Sequence, residues 1–459
     1  MQSKYDVIII GSGIGGLVSA TRLAKSGLKT LVLEKNDIPG GCVCSFKRKN
    51  FIFDGGAHIV GSAGRFQIFD TILKGLGVKI DFINLDPAER IQFPSFKFEV
   101  PADLDNLKEE LIKDFPKEIN AINIFFDLVK KIWRRFSSGN FNDPMIKQFE
   151  DKTFMQVLND VFVSSGLKAI ISSQFIYAGN NLNEISALAM FLLLGSYLKD
   201  GCFYPRRGMQ EIPEAIICAL TNYKGKIIFN QEVDKIIIKD NNAVNLITKS
   251  GISYEADFFI SNIDARKTFF ELIGEDNITQ DYLNKLKKLE VAKGFFLIYL
   301  GLNDSPEKLN KLRGFYFSCN NFDKDLDCIL VFNPPGKNIL HVVAPVGERI
   351  VWDKNKKANF ENKILDKMQT FYPEIIEKII FKESATLDTI EKYTGNTCGS
   401  PYGWSNIANQ TLNKRLSQAT PIGNLFLAGH WTQPGSGVVA VALSGWNAAG
   451  LILDKLKRG

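Results

Sequence analysis

Apolar residues first cluster at 7–10 (VIII) and again at 30–33 (TLVL), separated by a glycine-rich turn and a helix-compatible segment ending near Ser26. Short β-branched runs bounded by turn residues predict buried strands. Helical spacing follows at 66–76, with apolar positions at 66, 69, 72, 73 and 76. Residues 90–93 and 96–100 alternate as short strands, and Asp103 is placed to cap a helix running to Phe115. Residues 120–136 form the most distinctive helical pattern. Ile122, Phe125, Phe126, Val129, Ile132, Trp133 and Phe136 share one face; Asn123, Asp127, Lys130, Lys131 and Arg134 share the other. Such a face packs on a core or lies in a membrane interface, and Trp133 beside Arg134 and Arg135 suits the second use too. Residues 145–198 predict further helices, with no alternation of strand and helix. Strands are predicted at 226–238, 245–248, 257–261, 294–300, 328–332 and 339–345, and a helix at 359–371. The chain closes with a strand at 424–428, a loop at 429–438 and a helix at 439–453.

The first unit carries chemistry. Strand, Gly11-Ser12-Gly13-Ile14-Gly15-Gly16, helix, strand and then Glu34, 18 residues after Gly16, is the dinucleotide-binding βαβ pattern. Gly11 permits the tight turn, Gly13 lets a pyrophosphate approach the backbone, and Gly16 lets the helix pack on the sheet. The helix N-terminus offers N–H groups and its positive dipole end to phosphates. Glu34 at the strand end is placed for both ribose hydroxyls, which favours an unphosphorylated ribose. FAD and NAD both satisfy this unit.

Further along, E-K-x-x-x-x-G-G (34–41) and S-F-x-x-x-x-F-x-F-D-x-G (45–56) follow the turn. Together they resemble the FAD-dependent amine oxidase and phytoene desaturase superfamily. Y-P-x-x-G-x-x-x-I (204–212) resembles its return to the cofactor domain. P-G-x-G-V-x-A-V-A-x-S-G (434–445) is closer to the carotenoid isomerases and retinol saturases. The resemblance implies an α/β fold: a Rossmann-type FAD-binding domain (1–85, 208–262 and 388–459) with an inserted α+β substrate domain (86–207 and 263–387). It implies FAD contacts at Gly11, Ser12, Gly13, Ile14, Gly15, Gly16, Glu34, Lys35, Gly40 and Gly41. It adds the backbone of Val233 near the adenine, and Gly429, His430, Gly437 and Val438 near the flavin. His58, Tyr402 and Trp404 are the side chains expected beside the ring, with no assigned catalytic role. Two departures from the family pattern stand out: Val43 where a basic residue is common, and His430 where amine oxidases usually carry an acid.

Composition narrows the chemistry. The 459 residues are 45% hydrophobic and 23% charged, with 35 Phe and a net charge of +6. That is a globular chain with an apolar interior and no nucleic-acid-binding arm. Seven scattered Cys, with Cys42 and Cys44 as a CxC pair, suggest free thiols in a reducing compartment and leave a redox role for that pair open. Arg206 and Arg207 are candidates to face a substrate. Three His without metal-ligand spacing predict no metal site. The first strand begins within five residues and no apolar run spans a bilayer, so the expectation is a cytoplasmic protein, with peripheral membrane contact through 120–136 left open. The expected activity is FAD-dependent desaturation, saturation or cis–trans isomerisation of a long, hydrophobic, carotenoid- or isoprenoid-like substrate. Alternatives are a flavin oxidase or dehydrogenase of an amine or natural-product intermediate, and a non-catalytic prenyl-binding escort protein.

Overall fold

A computed structural model describes residues 4–139, 143–303, 313–317, 328–346 and 350–458. In chain order, the chain opens with β1 (Tyr5–Ile10), α1 (Ile14–Lys25) and β2 (Thr30–Leu33). Next come β3 (Glu89–Gln92), β4 (Lys97–Val100), α2 (Leu104–Asp114), α3 (Ile119–Ser137) and α4 (Ala187–Leu194). The chain returns through β5 (Lys226–Ile228), β6 (Val233–Lys239), β7 (Asn242–Thr248) and β8 (Ser253–Ser261). It leaves again through β9 (Gly294–Leu302), β10 (Gly314–Phe317), β11 (Cys328–Phe332), β12 (Ile339–Val346), α5 (Lys354–Phe371) and β13 (Ile379–Ala385). It ends with β14 (Leu425–Leu427) and α6 (Val438–Arg458).

Two seven-stranded sheets organise these elements. The first has the order β5-β2-β1-β8-β7-β6, with β14 also on β8. Its β5, β2, β1, β8 and β14 run parallel, and β7 turns back antiparallel to β8 and β6. β1 is buried on both faces, as a central parallel strand covered by helices must be, which is why residues 7–10 show no alternation. The second sheet has the order β13-β9-β12-β11-β10-β3-β4 and is antiparallel except between β10 and β3. Here alternation sets two faces. Phe296, Ile298 and Leu300 pack with Ile364 and Met368 of α5. Phe295, Leu297, Tyr299, Phe315, Leu330 and Phe332 turn the other way, into the core shared with the helices of 104–198.

That shared core takes the apolar face of α3. All seven of its predicted apolar residues are buried, and each such burial contributes about 1.5–3 kcal/mol. The face is therefore spent on packing, the first of the two uses its sequence allows. The predicted helix at 66–76 starts late, at Ile68, because Phe66 lies outside it with φ +66° and is exposed. The Asp103 cap is present: its carboxylate accepts from the amides of Asp105 and Asn106, both at 2.9 Å. Among the described residues one helix, α6, is long and apolar enough to cross a membrane. It packs along α1, with Ala442, Ser444, Gly445, Ala448, Ala449 and Ile452 buried.

Candidate functional site

The ends of β1, β2 and β8 meet at the glycine turn. The Ser12 amide and hydroxyl both donate to Glu34 Oε2, at 2.8 and 2.6 Å, and the Asn36 amide donates to Oε1 at 2.9 Å. The buried Glu34 carboxylate is thus fixed at the edge of the turn, where Oε1 can accept one further hydroxyl. No side chain caps α1; Gly13 stands at its N-cap. A Cβ on Gly13 would lie 2.7 Å from Asn262 Nδ2, and one on Gly16 would lie 2.3 Å from the Gly11 carbonyl. Gly40 closes the far wall, its amide donating to the Ser12 carbonyl at 3.0 Å, and Gly41 lies against the Gly13 backbone. The result is a backbone-lined cradle at a helix N-terminus, suited to an anionic pyrophosphate.

Asn262, just past β8, is the hub of the cradle. Its amide nitrogen donates to the Ile10 carbonyl at 2.9 Å, and its side-chain Oδ1 is buried without a partner. Gly15 and Gly429 both approach that side chain. Gly445 of α6 has no room for a Cβ, which would fall 2.0 Å from the Gly15 carbonyl. α1 and α6 therefore cross in direct backbone contact, which brings their N-termini to one place. The loop between β14 and α6 repeats the strand–glycine–helix design. The Gly429 amide donates to Ser444 Oγ at 2.8 Å, and Gly437, exposed with φ +97°, leads into α6.

Arg415 holds this second loop. It is fully buried, and its guanidinium donates to the carbonyls of His430 (3.1 Å) and Trp404 (3.0 Å) and to Asn406 Oδ1 (2.6 Å). Burial lowers its pKa to about 10, which leaves it charged at neutral pH. His430 contacts Asn396 Oδ1 at 3.3 Å; burial, reinforced by Arg415, pushes its pKa down to about 3 and keeps the ring neutral. Trp404 is corrected as a side chain presented to a ring-shaped cofactor. Its indole is wholly enclosed, donates to the Trp431 carbonyl at 2.8 Å and packs edge-on against Trp431. It is a support beneath the loop. Tyr402 keeps accessible surface and packs edge-on against Phe295 of β9 at 5.7 Å.

Residues 51–58 tie the two sheets together. Asp54 accepts from Ser45 Oγ (2.8 Å), the Tyr204 hydroxyl (2.7 Å) and the Met209 amide (3.2 Å). Its own amide donates to His341 Nε2 on β12 at 3.2 Å, and the Tyr299 hydroxyl on β9 donates to the Gly55 carbonyl at 2.9 Å. His58 is buried between Phe332 and His341, with ring centroids 5.4 and 4.6 Å away. Desolvation pushes its pKa down to about 4, so it too is neutral. Val233 is buried at the start of β6, and Lys35 reaches the Lys392 carbonyl at 3.0 Å. Val43, at the position of the usual basic residue, is buried in the core. Cys42 and Cys44 are free thiols, pushed up by burial to about 12 and 11, which opposes thiolate redox chemistry at neutral pH. Cys319 lies outside the described residues. Arg206 and Arg207 are solvent-exposed and pair with exposed Asp81 and buried Glu211, respectively.

Residues 14–453 match the family model for flavin containing amine oxidoreductases. The chain belongs to that family. Its cofactor is FAD, and the cradle, the unpartnered Asn262 oxygen and the two converging helix N-termini fit that group. A prolycopene isomerase of an Oncidium hybrid cultivar is 26% identical, covering 96% of this chain and 82% of that protein. The all-trans-retinol 13,14-reductase of Danio rerio is 26% identical, covering 94% of this chain and 83% of that protein. A crystal structure of an oxidoreductase from Methanosarcina mazei matches with a TM-score of 0.70 at 18% identity, covering 97% of this chain and all of that one, and shows the same fold.

Sequence reasoning missed Asn262, Arg415 and Ser444 as site-builders. A trace existed for Asn262, which follows the buried run FFIS directly, at the carboxyl end of the strand beside β1. Arg415 had none: it stands in a polar stretch whose path into the interior only the folded loop defines.

Proposed function

We propose that this FAD-dependent enzyme alters carbon–carbon double bonds in a long, apolar, isoprenoid-like substrate by desaturation, saturation or cis–trans isomerisation. The observation that carries this reading is the wall facing residues 54–58. It is built from Phe295, Leu297, Tyr299, Leu330, Phe332 and Val343, and its two imidazoles are neutral. An ammonium substrate would need a free carboxylate nearby; Asp54, the acid at this wall, is already engaged by three donors. The isomerase and reductase among the similar proteins act, by their names, on polyenes.

Bound in the cradle, FAD supplies hydride or electron transfer. The chain supplies the rest. Ser12, Glu34, Gly40 and Gly41 would hold the adenosine and pyrophosphate, with Val233 beside the adenine. Gly429, His430, Gly437 and Val438 would flank the ring, where the α6 N-terminus favours negative charge. The Phe-rich sheet face excludes water and orients the substrate by shape, and Tyr402 closes one end against Phe295. We take 1–85, 208–262 and 388–459 as the cofactor part and 86–207 and 263–387 as the substrate part. A substrate of this kind resides in membranes, so the reading includes uptake at a membrane surface by a cytoplasmic enzyme.

The test is anaerobic incubation of the holoprotein, with its flavin oxidised in one arm and reduced in another, with a carotenoid and retinoid panel, followed by chromatography of the products. A changed double-bond pattern is expected. Every polyene unchanged in both arms, with peroxide released when amines are added in air, would overturn the reading.

A further inference from the structure

One buried polar cluster is left unused by the site described so far. Glu89, at the start of β3, is fully buried and faces the Tyr177 hydroxyl and the Gln174 amide. The three groups lie within interaction range of one another, but no well-formed hydrogen bond joins the Glu89 oxygens, the polar atoms of Gln174 or the Tyr177 hydroxyl to any partner. Arg313, nearby, is committed to the carbonyls of Pro87 and Ala88. Buried polar groups are rarely left unmatched, and a cluster of them facing one another marks a place where a shared partner fits.

The surroundings indicate which partner. Gln174 also borders a small cavity whose other walls include Val100, Leu104, Leu107, Phe125 and Leu198, so the cluster is the polar end of an apolar interior. On its other side, the Tyr177 ring packs edge-on against Phe315 and Tyr197, at 5.3 and 5.5 Å. Tyr177, Tyr197 and Tyr402 retain accessible ring surface, yet desolvation raises the pKa of all three. They line internal space. Tyr402 stands beside Cys42 in the flavin-binding turn, and Glu89 stands at the opposite end of the aromatic line. On the second sheet, β12 touches Asp54 and β3 carries Glu89, with β11 and β10 between them. Three strand spacings put roughly 14 Å between the two.

The chemistry of the cluster is neutral. Burial pushes the Glu89 pKa up to about 8, so at neutral pH it is a carboxylic acid that donates through its hydroxyl and accepts at its carbonyl oxygen. Glutamine and tyrosine likewise donate and accept without charge. We propose that Glu89, Gln174 and Tyr177 form a subsite for a neutral oxygen function, a hydroxyl or carbonyl, at the far end of the apolar substrate. The proposal rests on the apolar-substrate reading given above.

The test uses oxidised holoenzyme and two probes, geranylgeraniol and the same hydrocarbon without its hydroxyl, with binding read by flavin absorbance and intrinsic fluorescence. The alcohol is expected to bind about 10-fold more tightly, the scale of one well-made hydrogen bond. Gln174→Leu and Tyr177→Phe should each shrink that preference several-fold while hydrocarbon affinity stays within about 2-fold. Flavin content and circular dichroism check that each variant folds. If Gln174→Leu loses its flavin, Tyr177→Phe, which removes a single oxygen, decides the matter. Equal affinities for the two probes, or an undiminished preference in Tyr177→Phe, would overturn the subsite. Failure of both probes to bind the wild type would instead overturn the apolar-substrate reading, and the subsite with it.

Discussion

Replacing Glu89 with Gln should change how stability depends on pH. Desolvation holds the folded carboxyl near pKa 8, against 4.5 when exposed. Between those values the folded state keeps a proton that the unfolded state has lost. Stability therefore falls as pH rises through this window, by about 1.4 kcal/mol per unit. From pH 5 to pH 8 the wild type loses about 4 kcal/mol through this group, and Glu89→Gln, which does not titrate, loses none of it. An unfolding entropy of about 2.1 cal/mol/K per residue over 459 residues makes each kcal/mol worth roughly 1 °C. Thermal melts of the two holoproteins should therefore diverge by about 4 °C across that range, with the variant gaining at the alkaline end. Parallel melting curves would refute the reasoning, because a carboxyl with an ordinary pKa contributes no such slope. The comparison cancels every other titrating group the two proteins share.

Three further outcomes can be measured. Glu34→Gln removes the charge that the Ser12 amide and hydroxyl address; charge-assisted bonds are worth about 1.5–3 kcal/mol, so FAD affinity in titrations of the apoprotein should drop about 10- to 100-fold. Gly445→Ala places a Cβ 2.0 Å from the Gly15 carbonyl and should cost about 1–3 kcal/mol by denaturation, with a substoichiometric flavin-to-protein absorbance ratio. Exposed Cys218 should react with iodoacetamide at pH 8 well before Cys42 or Cys44, whose thiols are held near 12 and 11; labelling read by mass spectrometry checks the order.

The cofactor half of the fold was legible because its signals are local. The glycine turn, Glu34 and the 434–445 loop each occupy a few consecutive residues, and backbone conformation alone imposes them. The Asp103 cap was readable for the same reason. Face assignments were harder. Helix α3 has one apolar stripe whatever covers it, and only the folded partners, Phe154, Phe162 and Phe191 against Phe125, show that protein covers it. Phe66 matched the helical period yet lies outside the helix: in Gly64-Arg65-Phe66, its φ of +66° outweighs the apolar match. The Glu89, Gln174 and Tyr177 cluster joins residues more than eighty positions apart in sequence, and no spacing rule reaches that far. Trp404 shows the converse. An aromatic in a glycine-rich loop resembles a ligand contact until its burial under Arg415 and Trp431 is seen.

The backbone contact between Gly15 and Gly445 has a consequence for biosynthesis. The βαβ of residues 5–33 is synthesised well before α6, the helix whose Gly445 packs directly on its glycine turn. Domains generally acquire structure as they emerge. Here the nascent chain must carry an unfinished nucleotide site through the synthesis of the whole apolar substrate region. A chain truncated before α6 is therefore expected to lack the packing that completes the turn, and to bind FAD more weakly than the intact chain.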